Sequence, residues 1–191
     1  MKKKVLFTLI LAVVLYSATP AQNKESEKNM VSGMRAGWHS ATLVKDGAEP
    51  YSADPLNSFY VGFFNENKVA PLFNFGKGLE YFQNGLSYTG GGERILHTIS
   101  VPLYLKLKVG PVYGLGGIAG NFKVSEKFSA GDYEASPKDS DKSKWFDAPV
   151  FLGAGVKIAF VSVEARYHWG LIEVRNGLKS QYLQVGAAVS F

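Results

Sequence analysis

Apolar residues recur at every second position along most of this chain. The alternation is plainest over 161–173, where Val161, Val163, Ala165, Tyr167 and Trp169 fall on one face and Ser162, Glu164, Arg166, His168 and Gly170 on the other. The last eleven residues repeat it, with Leu183, Val185, Ala187, Val189 and Phe191 opposite Tyr182, Gln184, Gly186, Ala188 and Ser190. A period of two is the signature of a β-strand with chemically different faces. Eight such segments are separated by turn signals: 31–43, 58–64, 72–88, 95–108, 112–124, 148–160, 161–173 and 181–191. None has helical periodicity. The expected fold is all-β, an eight-stranded antiparallel transmembrane β-barrel.

The connections expected between these segments alternate in length. Residues 44–57, 89–94, 125–147 and 174–180 are longer and polar or rich in Gly and Pro, whereas 65–71, 109–111 and the 160/161 junction are short. Long loops at one end and short turns at the other is the outer-membrane barrel pattern, the short turns being periplasmic. An even strand count then places both termini on the periplasmic side of an outer membrane. Phe63, Phe64, Phe73, Phe75, Phe160 and Phe191 fall toward the short turns, and Trp38, Tyr88, Trp145, Phe146 and Trp169 toward the long loops. Two aromatic girdles at membrane interfaces would be distributed in this way. A terminal Phe closing an alternating strand looks like the signal read by bacterial barrel-assembly machinery, so Phe191 is a candidate assembly signal.

The N-terminus is built differently. Lys2, Lys3 and Lys4 precede an apolar run over 5–15, and small residues follow as far as Ala21. This is the layout of a cleaved secretory signal, too short in its apolar part for a spanning helix, which needs about 20 residues. The expected organisation is a signal peptide at 1–21, a flexible lead-in at 22–30 and a barrel at 31–191. The full chain has 21 basic and 16 acidic residues. Removal of the three leader lysines leaves 18 against 16, a net of +2. That charge gives no support for nucleic-acid binding. The absence of cysteine excludes disulfides and thiol chemistry.

The polar faces carry the candidate chemistry. Arg35, Glu80, Lys106, Lys157, Glu164 and Arg166 share parity with small or polar residues. A Lys or Arg facing lipid near the midplane costs about 2–4 kcal/mol, so these side chains belong inside. Eight strands leave an interior just wide enough for side chains to fill, which predicts an ion-pair network plugging the lumen. Lys77 does not fit, because it shares parity with the outward Phe73, Phe75 and Leu79. A bulge at its glycine neighbours Gly76 and Gly78, or a register one residue off, would bring it in. Gly114-Leu-Gly-Gly-Ile-Ala119 matches a loose dinucleotide fingerprint but lacks the helix that would give it meaning. His39, His97 and His168 have no metal-ligand spacing. A hydrolase triad seeded by His39-Ser40, or by His168 with Glu164, lacks the required geometry. No catalytic residue, cofactor or metal is expected.

Three stretches carry a family resemblance: Gly78-Leu-Glu-Tyr-Phe-Gln-Asn-Gly85, Ile99-Ser-Val-Pro-Leu-Tyr-Leu-Lys106 and Val163-Glu-Ala-Arg-Tyr-His-Trp-Gly-Leu171. They resemble the Bacteroidota outer-membrane β-barrel family that includes PorT-type proteins, a small barrel of the OmpA/OmpX-like kind. PorT-type members are linked to type IX secretion, and the resemblance implies no catalytic residues. The expected partners are outer-membrane lipid, the barrel-assembly machinery and other envelope proteins. The expected role is structural or interactive, through the outer loops or as a subunit of an envelope or secretion complex. The alternatives are an outer-membrane lipid-modifying enzyme and a soluble, lipocalin-like binding barrel.

Overall fold

Alternate residues of each strand point into a shared interior, and the residues between them point outward. The computed structural model describes residues 29–45, 53–88, 92–130, 133–135, 144–175 and 177–191. The expected signal peptide at 1–21, the lead-in as far as residue 28 and the centre of the longest expected loop lie outside them. The strands are β1 (Met30–Lys45), β2 (Ala53–Lys68), β3 (Phe73–Tyr88), β4 (Gly92–Val109), β5 (Val112–Ala130), β6 (Tyr133–Ala135), β7 (Phe146–Asp147), β8 (Pro149–Ile158), β9 (Val161–Arg175) and β10 (Leu178–Ser190).

Eight of these positions form a closed antiparallel ring. β4, β3, β2, β1, β10, β9, β8 and β5 are neighbours in that order, and β5 pairs with β4 to complete it. β7 continues the line of β8 along β5, and β6 pairs with the far end of β5. β1 and β10 seal the ring in a continuous register from Gly33↔Ser190 to Lys45↔Leu178. Closure leaves no long unpaired edge along the ring. No helix occurs among the described residues.

The strands run further than the apolar pattern. The second segment, expected at 58–64, spans Ala53–Lys68, and the fifth reaches Ala130. Backbone pairing does not depend on side-chain polarity, so ladders continue past the point where alternation fades. Most of the connection expected at 174–180 is strand instead: β9 runs to Arg175 and β10 begins at Leu178, and Gly177 before it has a φ of 78°, in the left-handed region.

The outer face is apolar. Met34 and Trp38 of β1, Phe59, Val61 and Phe63 of β2, Leu103 and Leu105 of β4, Leu152 and Val156 of β8, and Val163 of β9 are all exposed there. Two expectations about faces are corrected. Phe64 does not join an outer girdle: it is buried in the lumen beneath Arg35, whose guanidinium carbon lies 4.5 Å from its ring centre. Lys77 does not turn inward. β3 keeps a regular register through it, with Asn65 and Leu103 as its cross-strand partners, so it stays on the outer face without a bulge. Gly76 has a different use. A Cβ there would lie 2.2 Å from the ring of Tyr104, so glycine leaves the space that ring occupies.

Candidate functional site

The lumen is filled by side chains from every part of the ring. At its centre two arginines face two glutamates. Arg166 of β9 holds Glu80 of β3 through a fork, Nη1 to Oε1 at 2.8 Å and Nη2 to Oε2 at 3.2 Å. Arg35 of β1 donates to Glu164 Oε1 at 3.2 Å and lies 3.6 Å from Glu80. Arg166 Nε also sits 3.2 Å from Glu164, a charge contact without hydrogen-bond alignment. All four residues are buried, Arg166 to 1% exposure. Forked guanidinium–carboxylate pairs of this kind are strong and geometrically demanding.

Tyrosines carry the network toward the short-turn end. Arg35 Nη2 donates to Tyr104 Oη at 2.7 Å, and Tyr104 donates to Glu66 at 2.9 Å. Glu66 is also held by Lys106. Tyr113 of β5 donates to Glu164 Oε2 at 2.9 Å, and the Lys106 ammonium lies 4.3 Å from the centre of its ring. Gly155 makes this reach possible, because a Cβ there would lie 2.5 Å from Tyr113 Oη. The charges balance: Glu66, Glu80 and Glu164 against Arg35, Lys106 and Arg166. A buried charge left without a partner would cost several kcal/mol, so the balance is a condition of folding.

Toward the long-loop end the ions give way to rings. Phe151, His168, Tyr182, His39 and Phe82 form a continuous layer across the lumen, with successive centroids 4.6, 4.2, 4.9 and 4.5 Å apart. Beyond it Asn121 donates to Tyr182 at 3.0 Å, and Ser180 donates to Asp147. Glu126 is gripped there by both Arg94 and Lys123. A cavity opens at each end of the ring. The two share no lining residue: Arg35, Glu66, Lys106 and Glu164 line the short-turn cavity, and the Arg166–Glu80 fork and the layer of rings line neither.

Of the residues that parity assigned to the lumen, Arg35, Glu80, Lys106, Glu164 and Arg166 lie in one connected chain of bonds. Lys157 does not join it. It sits two residues from the β8–β9 turn and donates to Ser190 Oγ at 3.0 Å. Glu66 is the member that sequence reading missed, because the second strand was ended at Phe64. Extending the parity of Gly62 and Phe64 by one step would have found it. His39 and Ser40 point to opposite faces, His39 being fully buried. His168 is stacked between Phe151 and Tyr182. His97 is outside the barrel, its Nδ1 2.6 Å from Tyr81 Oη. The glycine motif at 114–119 is mid-strand in β5. Phe191 is 76% exposed and exchanges backbone hydrogen bonds with Ser32, at 2.8 and 3.3 Å.

Comparison with solved structures places this ring of strands. The crystal structure of Ail, the attachment invasion locus protein of Yersinia pestis, is similar at 15% identity, covering 85% of this chain and 99% of that one with a TM-score of 0.50. A second Ail structure, in complex with the heparin analogue sucrose octasulfate, gives the same figures. The crystal structure of Neisserial surface protein A is similar at 12% identity, covering 84% and 97% with a TM-score of 0.52. The fold is that of the small eight-stranded outer-membrane barrels. At these identities the likeness concerns the fold alone. No protein-family model and no curated protein matches the chain.

Proposed function

We propose that this protein is a non-conducting outer-membrane barrel, with both termini in the periplasm, that acts through its outward loops as a structural or interaction component of the envelope. The observation that carries the reading is its inverted polarity. Leucine, valine and phenylalanine are exposed around the ring while arginine and glutamate are buried inside it. A soluble binding barrel has the opposite need, a polar exterior around an empty apolar cup, so the lipocalin-like alternative is disfavoured. The paired lumen leaves little reason to expect a pore. With the interior occupied, the loops remain as the variable, partner-facing part. Ail is an attachment invasion locus protein, which fits a loop-based role here. Membership of the PorT-type group, and a place in a secretion complex, rest on the three sequence stretches quoted above. Outer-membrane lipid and the barrel-assembly machinery are the partners that this location implies.

The test is reconstitution of the mature chain. Refolded in detergent, it is expected to migrate differently on gels before and after boiling. In planar bilayers it is expected to give no unitary conductance. Replacement of residues 136–143 by a Gly/Ser linker is expected to leave the barrel folded and to abolish its retention of envelope partners in cross-linked native membranes. Steady channel currents, or solubility without detergent, would overturn the proposal.

A further inference from the structure

The short-turn mouth holds more positive charge than the network beneath it uses. Glu66 is taken by Lys106, and Glu80 and Glu164 by the arginines. Lys108 and Lys157 line the same mouth, and among the described residues no carboxylate lies within ion-pair distance of either. They approach from β4 and β8 on the two sides of β5, where Tyr113 pairs with both Lys108 and Gly155. Lys157 donates to Ser190 Oγ, and a hydroxyl that has accepted a bond keeps its own proton to give. Asn74 and Ser162 add neutral donors to the lining, which also holds Glu66 and Glu164, both already paired with cations of the network. Two ammonium groups and neutral donors lining one open mouth offer the donor set for a tetrahedral oxyanion, for which lysine serves as a point-charge ligand.

We propose that this mouth seats a phosphate group, held by Lys108, Lys157 and Ser190. The group is either the headgroup of a phospholipid at the adjacent rim or phosphate from solution. The anion offsets the repulsion between the lysines and caps the end of the ion-pair network.

The experiment uses the full mature chain refolded in a phosphate-free glucoside detergent. Inorganic phosphate is titrated and followed by phosphorus NMR, and retention of phosphatidylglycerol is followed by native mass spectrometry. At least one probe is expected to bind the wild type. Binding is expected to weaken by about tenfold for each charge-assisted bond removed, in Lys108→Gln and in Lys157→Gln, to be retained in Lys157→Arg, and to be unchanged in Lys77→Gln on the outer face. Lipid retention without free-phosphate binding assigns the headgroup, and the reverse assigns the soluble ion. A heat-modifiable gel band shows that each variant is folded. If a variant does not fold, Ser190→Ala, which removes a rim hydroxyl and no charge, replaces it and is expected to weaken binding. The proposal is overturned if neither probe binds the wild type, or if folded Lys108→Gln and Lys157→Gln bind as the wild type does.

Discussion

Replacing Glu164 by glutamine tests whether the lumen is a balanced plug. The amide keeps the volume of the side chain and can still accept from Tyr113, so the change removes little except charge. Glu164 lies 3.2 Å from Arg35 Nη1 and 3.2 Å from Arg166 Nε, and only 6% of it is exposed. Without it, Glu80 alone faces two guanidiniums, and the six-residue network passes from neutral to a net of +1. Removal of one partner from a buried pair typically costs about 3–5 kcal/mol. The lower end applies here, because Glu80 still holds Arg166 through its fork and stays within 3.6 Å of Arg35. The assay is urea unfolding of the refolded barrel, read by the fluorescence of Trp38, Trp145 and Trp169. With a denaturant slope of about 1–3 kcal/mol per molar, the midpoint should fall by roughly 1–3 M. Asp54→Asn, at an exposed β2 position, should change stability by less than about 0.5 kcal/mol. Glu164→Gln combined with Arg35→Met restores neutrality, so the double variant should lose at least about 1 kcal/mol less than the sum of the single losses. A Glu164→Gln midpoint equal to that of Asp54→Asn, or strict additivity in the double variant, would show that the lumen is wet and the charges independent.

Gly76→Ala should destabilise the same barrel by about 1–3 kcal/mol, because the new methyl meets the Tyr104 ring and disturbs the bridge from Arg35 to Glu66; an unchanged urea midpoint would contradict the packing described. Deletion of Phe191 removes two backbone bonds to Ser32, worth about 1 kcal/mol each, and an exposed ring. The truncated chain should therefore refold in detergent yet fail to accumulate in the outer membrane of cells, and normal membrane levels would refute an assembly-signal role. An epitope inserted at 136–143 should be labelled on intact cells and one at Gly110-Pro111 should not; the reverse result would invert the orientation.

Much of this architecture is legible in the sequence. A strand has a strict period of two, so parity alone assigns Glu164, Arg166 and Lys106 to one side of the wall and Val163, Ala165 and Leu105 to the other. The same logic marked Arg35 and Glu80 as interior, and the number of alternating segments set the size of the ring. Where parity was followed too briefly, it misled: Glu66 lay one step beyond a strand ended too soon, and Phe64 was read by its ring and not by its parity. What parity cannot state is who meets whom. Glu80 and Arg166 are 86 residues apart in the chain, and Arg35 and Glu164 are 129 apart. Their contact depends on ring closure between β1 and β10, and on the stagger that sets their heights along the barrel. Lys157 has the same parity as the network cations but sits nearer the mouth, and only its height separates a plug residue from a rim residue. The gaps that Gly76 and Gly155 leave for two tyrosine rings are likewise invisible in one dimension, because each glycine serves a side chain from another strand. Face is a property of one strand and is written in the sequence; partnership is a property of the closed ring and exists only once the strands are registered around it.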